Sequence, residues 1–216
     1  DPNRAWSSLR PILEREPGNM EMIDTAIGLG IGQPERTSKE ARDWVLSKMR
    51  SEKTDPKIVA RVSMSAHAAN QWPLAIECYE KLTKIDPEND VALNNLAGIY
   101  YKTPPYQMEK ALSLVDRALA GSPGNLGYLE TRGQILARIG RVDEARSILE
   151  GCLSTFPNEW NLHNTLAQIY DYQGNASLAA IHREKLAELK KPSNAPVEDR
   201  IVFPEPKPVP ATSGKP

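Results

Sequence analysis

Two cysteines, two phenylalanines and three histidines in 216 residues leave little material for metal ligation or thiol chemistry. Cys78 and Cys152 lie outside any CxxC or Cys/His ligand spacing, and the histidines sit on separate helical stretches without an i, i+4 partner, so no metal is expected. Neither sign of charge dominates: 27 Lys and Arg oppose 28 Asp and Glu, a formal net charge of −1. Such a chain lacks the basic stripe of a nucleic-acid binder, and no nucleic acid is expected. Apolar residues make up 40% and are scattered, with no run approaching the roughly 18 residues of a membrane span. Nucleophile elbows, phosphate loops and paired-carboxylate motifs are missing. "GLGIGQ" at 28–33 superficially suggests a dinucleotide loop, but it follows a helical stretch and no βαβ unit surrounds it. These absences predict no catalytic residue, no cofactor and no enzyme. The compartment stays open: Asp1 is not a start methionine, a cytoplasmic setting is favoured, and a periplasmic or membrane-tethered one through upstream sequence is the alternative.

What the chain does have is self-similarity. Alanines at Ala5, Ala41, Ala75, Ala111, Ala145 and Ala179 are separated by 36, 34, 36, 34 and 34 residues. Four residues after them stand Leu9, Val45, Tyr79, Val115, Leu149 and Arg183; seven after stand Ile12, Lys48, Leu82, Ala118, Cys152 and Leu186. That spacing marks one helical face. Pro17, Pro87, Pro123 and Pro157 follow at a constant distance and end the helix. A further helix precedes each alanine, as in "ALNNLAGIYY", "YLETRGQILARIG" and "NLHNTLAQIYDYQG". Small residues recur at its centre (Ala97, Gly133, Ala167), and larger ones follow three positions later (Tyr100, Leu136, Tyr170). Small residues admit a close helix–helix approach. Each unit is then a helical hairpin that buries its faces only by stacking on its neighbours.

This pattern resembles the tetratricopeptide repeat, a helix–turn–helix unit of 34 residues. The resemblance covers roughly residues 4 to 191, with departures: no Trp at the fourth position of any unit, Arg132 where Leu is usual, and a divergent unit at 20–55. It implies an all-α, right-handed superhelical solenoid of about five and a half units. The expected boundaries are a half unit at 1–19, then 20–55, 56–89, 90–125, 126–159 and 160–191, with a Pro-rich disordered tail at 192–216. Seven of the 18 prolines fall in that tail. The two 36-residue intervals come from the longer turns "GQPERTS" (Gly32–Ser38) and "KTPPYQ" (Lys102–Gln107). The chain opens in mid-unit, so it is expected to be the C-terminal part of a longer array. Trp6, Leu9, Ile12 and Leu13 are expected to lack cover, making the N-terminal edge a candidate for self-association.

In the family that this chain resembles, the inner face of the superhelix is lined by the first helix of each hairpin. Carried over, those positions are Arg61, Met64 and His67, then Asn94, Asn95, Tyr101 and Lys102. The next set is Glu130, Thr131, Gln134 and Arg138, and the last is Asn161, Asn164, Thr165, Gln168, Asp171 and Tyr172. Amides donate and accept at once, which suits the backbone of a peptide. The resemblance therefore implies a non-enzymatic scaffold that binds a peptide or helix of a partner protein. The alternative is an assembly module that associates through the ends of the array or the tail. The clamp with which some relatives grip chaperone C-termini does not carry over: Ala60, Met64, Gly127 and Thr131 occupy its positions, and only Asn95 matches. His163 is expected to pack toward the paired helix, and His182 to be exposed.

Overall fold

The computed structural model describes residues 1–32, 36–189 and 200–205. Gln33–Glu35 of the first long turn, residues 190–199 and residues 206–216 lie outside them. Among the described residues there are eleven α-helices and no strand. They form two compact units divided between Pro123 and Gly124.

The first unit contains α1 (Pro2–Arg15), α2 (Met20–Ile31), α3 (Lys39–Arg50), α4 (Pro56–Ala68), α5 (Trp72–Ile85), α6 (Asp90–Lys102) and α7 (Met108–Gly121). The second contains α8 (Leu126–Arg138), α9 (Val142–Leu153), α10 (Trp160–Tyr172) and α11 (Ala176–Glu188). Helices pair as hairpins: α2 with α3, α4 with α5, α6 with α7, α8 with α9, and α10 with α11. Within each unit the second helix of one hairpin also packs on the first of the next, as α5 does on α6 and α9 on α10.

Local sequence explains where the helices begin and turn. "EPGN", "DPEN" and "SPGN" place an asparagine two residues after the proline. Asn19, Asn89 and Asn125 then accept from the backbone N–H of Met22, Ala92 and Tyr128, which caps α2, α6 and α8. In "FPNE" the asparagine comes one residue early, and Glu159 begins α10 without a side-chain cap. Tight turns join α4 to α5, α8 to α9 and α10 to α11. Asn70, Gly140 and Gly174 take positive φ there, at 55°, 85° and 74°. The next N–H in each case (Gln71, Arg141, Asn175) reaches back to the carbonyl of Ala66, Leu136 or Tyr170 at 2.8–2.9 Å. This left-handed closure satisfies carbonyls that the helix end would otherwise leave open.

The repeated alanines Ala41, Ala75, Ala111, Ala145 and Ala179 are wholly buried. Gly133 shows why the small positions matter, since a Cβ there would lie 2.9 Å from Leu149. Larger side chains fill what remains, Tyr79, Leu93, Leu136, Leu149 and Leu166 among them, each contributing roughly 1.5–3 kcal/mol where fully buried.

The N-terminal edge differs from expectation. Trp6, Leu9 and Leu13 are buried because α1 packs on both α2 and α3, with Trp6 against Trp44 at 5.8 Å between ring centroids. Only Ile12, 38% exposed, keeps the open character expected of that group. The tail differs too. Arg200–Glu205 is non-helical but packed on the second unit, and Ile201 is only 6% exposed. Six residues of the expected Pro-rich tail are thus seated on the second unit.

Candidate peptide-binding surface

In the first unit the candidate residues lie on α4 and α6. Arg61 pairs with Asp24 of α2, and Met64, 61% exposed, stands beside it over an open hollow also lined by Ile27, Gly28 and Lys57. His67 and Asn95 meet at one hydroxyl: Asn95 Nδ2 donates to Tyr79 Oη at 3.1 Å, and Tyr79 Oη lies 3.3 Å from His67 Nδ1. With His67 neutral, the hydroxyl donates to Nδ1 and the network is complete. Burial lowers the His67 pKa, and Lys102 nearby lowers it further, so the neutral imidazole is the favoured form. Asn94 is half-buried, and its Oδ1 has no hydrogen-bond partner among the described residues. Lys102 is exposed and lies over the Tyr101 ring, 5.2 Å from its centroid. Tyr101 itself is 2% exposed, which corrects its assignment to the open face: an aromatic ring at the end of α6 is drawn into the core.

In the second unit the candidates lie on α8 and α10. Glu130, Thr131 and Arg138 on α8 are half-buried, as are Asn161, Asn164, Gln168 and Tyr172 on α10, and Asp171 is exposed and ion-paired to Arg183 of α11. Two assignments are corrected. Gln134 and Thr165 are buried, on turns of α8 and α10 that face neighbouring helices. His182 is also buried, contrary to expectation. Its Nδ1 lies 2.9 Å from Nδ1 of His163, whose Nε2 lies 3.0 Å from the Pro157 carbonyl. The Pro157 carbonyl can only accept, so Nε2–H of His163 donates to it, and the Nδ1···Nδ1 contact is made by one imidazole donating to the other. Burial and the neighbouring His163 lower the His182 pKa, while Glu150 opposes the shift.

Arg200–Glu205 sits on this face. The Ile201 N–H donates to Gln168 Oε1 at 2.7 Å, and Tyr172 Oη donates to the Pro204 carbonyl at 3.1 Å. Phe203 stacks on Tyr172, with ring centroids 4.5 Å apart and planes 11° from parallel. Arg138 Nη2 makes a long 3.5 Å contact to the Arg200 carbonyl. Three residues assigned to the inner face, Arg138, Gln168 and Tyr172, thus converge on the backbone of one short segment.

A family model for the TPR repeat matches residues 66–103, spanning α5 and α6. Among solved structures, a tetratricopeptide repeat protein from Parabacteroides merdae is similar at 21% identity and a TM-score of 0.67, over 89% of this chain and 75% of that one. MamA of strain MSR-1 is similar at 20% identity and a TM-score of 0.61, over 83% and 96%. MamA from Desulfovibrio magneticus RS-1, residues 41 to the end, is similar at 16% identity and a TM-score of 0.60, over 88% and 95%. The fold is that of a tetratricopeptide repeat protein. Repeats of this kind serve as scaffolds for protein interaction, and the fold is generally non-catalytic. No helix among the described residues is long and apolar enough to cross a membrane.

Some features of these helical hairpins had no clear signal in the sequence. In each unit a tyrosine on a first helix donates to a glutamate on the preceding second helix: Tyr100 to Glu80 at 2.5 Å, and Tyr170 to Glu150. Burial, then the glutamate, pushes the Tyr170 hydroxyl up to about 12, and the same causes raise Tyr100. Both pairs are separated by 20 residues, a recurrence that a search for charged partners of the repeated tyrosines would have found. Gly140 was likewise unmarked. Its missing side chain lets Pro204 approach, since a Cβ would lie 3.2 Å from the proline Cγ.

Proposed function

We propose that this chain is a non-enzymatic interaction scaffold whose first-helix faces bind a peptide or helix of a partner protein. One observation carries the reading: the α8–α10 face already holds a peptide, with backbone groups at Arg200, Ile201 and Pro204 met by Arg138, Gln168 and Tyr172. Side-chain donors and acceptors that meet backbone groups supply the part of peptide binding that does not depend on sequence, and side-chain contacts add the selectivity. The organisation into a half unit at 1–19 and units at 20–55, 56–89, 90–125, 126–159 and 160–191 belongs to the same reading. The assembly alternative loses its main support, because the apolar N-terminal edge is mostly covered.

The test compares the full chain with two variants, Arg61→Ala/Met64→Ala in the first unit and Asn164→Ala/Gln168→Ala in the second. Each is measured for melting temperature and for retention of partner protein from a lysate of the source organism. A hydrogen bond contributes about 0.5–1.5 kcal/mol net, so removing the two amides at Asn164 and Gln168 weakens binding roughly five- to a hundredfold, and removing the Arg61 guanidinium with the apolar Met64 side chain should weaken it comparably. Melting should move little, since these side chains lie at or near the surface. A folded pair of variants that both retain the partner at wild-type affinity overturns the scaffold-groove reading.

A further inference from the structure

We propose that the α8–α10 face is a binding site for a non-helical peptide carrying an aliphatic residue followed, two positions later, by an aromatic–proline pair, and that Ile201–Pro204 occupies it in cis. This rests on the scaffold reading above and names the ligand class for its second unit. Side chains of the segment alternate in their use. Ile201 is buried and Phe203 lies on Tyr172, whereas Val202 between them is 67% exposed. The site therefore reads the first and third residues and leaves the second to solvent. Proline follows the aromatic for a geometric reason. Its ring comes up against Gly140, which has no Cβ to exclude it, while its carbonyl accepts from Tyr172. Proline has no N–H to satisfy, so the position leaves no backbone donor stranded. At Ile201 the backbone N–H is present and is met by Gln168.

Occupation from within the same chain makes the site gated. Residues 190–199 join the segment to α11, and a short tether holds a ligand at a local concentration on the order of millimolar. A partner peptide of the same pattern binds only when it outcompetes Ile201 and Phe203. The cleft alongside, about 690 Å³ and bordered by Gln168, Tyr172, Ile201 and Phe203, offers a partner a place to engage before the resident segment leaves.

The test uses the full chain and a fluorescein-labelled peptide of residues 199–205, DRIVFPE, with binding read by fluorescence anisotropy. Ile201→Ser/Phe203→Ser keeps the tail but removes its anchors, and should bind the peptide at least tenfold more tightly than wild type. Val202→Ser should bind as wild type does. Adding Tyr172→Ala to the anchor variant should weaken binding at least tenfold, and a peptide with serine at both anchor positions should not bind. Circular dichroism of each variant checks that the helices are intact, which is expected because Ile201 and Phe203 lie outside them. Equal binding by wild type and the anchor variant, or binding by neither, overturns the proposal. A wild-type dimer that becomes monomeric in the anchor variant overturns occupation in cis. Failure of the peptide to bind while Asn164→Ala/Gln168→Ala still loses its partner removes the ligand class and leaves the scaffold reading standing. Peptide binding that follows the anchors while the groove variants keep their partner does the reverse.

Discussion

Gly30 and Gly133 are both helical glycines held against another helix, but what they face differs. A Cβ at Gly30 would lie 2.7–2.9 Å from backbone atoms of Ala41 and Arg42, whereas at Gly133 it would meet the side chain of Leu149. Backbone in a packed hairpin has nowhere to go without moving α3. Gly30→Ala should therefore cost about 1–3 kcal/mol in overpacking, set against a gain of about 1 kcal/mol in helix propensity. The expected result is a net loss, read as a lower urea midpoint and larger than that of Gly133→Ala. Gly133 was recognisable as a small repeat position from its spacing. Gly30 was not, because its importance comes from a contact with α3 across a longer turn, in the divergent unit.

At the scale of the element, the asparagine that caps α2, α6 and α8 supplies a built-in comparison. Glu159 holds the corresponding place before α10 without making a side-chain cap. Glu159→Asn should stabilise the second unit by about 0.5–1 kcal/mol, since Asn is among the best residues at a helix start. For a chain of this size, 1 kcal/mol corresponds to a rise of roughly 2–4 °C in melting temperature. An unchanged or lowered melting temperature would mean that Glu159 serves α10 in another way. The tight turns follow the same logic. Gly140 and Gly174 supply the positive φ without steric cost, while Asn70 in the equivalent place takes the left-handed conformation that asparagine tolerates best after glycine.

For the whole molecule, acid sensitivity should begin with histidine. His67 in the first unit and His182 in the second both have pKa values lowered by burial. The unfolded chain, near the ordinary value of about 6.5, then takes up protons more readily than the folded one. Their contribution to stability is fully present above that value and is lost as pH falls through it toward the lower folded values. Urea midpoints measured between pH 7.5 and 5.5 should fall, before carboxylate titration enters. His182→Gln should flatten that fall. An unaltered slope in the variant would remove His182 from the account.

Periodicity alone determined that this protein is helical, that its helices come in hairpins, and which residues bear on the hairpin interior. That information is local: a small residue, an apolar residue three or four positions on, and a proline that stops the helix all act within a few turns of chain. The family positions carried over onto that register placed Gln168 and Tyr172 on the first-helix face. They also put Tyr101, Gln134 and Thr165 there, and burial removed them, because whether a side chain at the border of a face turns inward depends on the space left by neighbouring helices. Composition marked the tail as unable to fold by itself, which is a statement about the tail in isolation. Only the tertiary structure decided that Ile201 and Phe203 have somewhere to go. Their seating requires Gln168, Tyr172 and the bare backbone of Gly140 in one place, and those residues come from two hairpins that meet only in the folded chain.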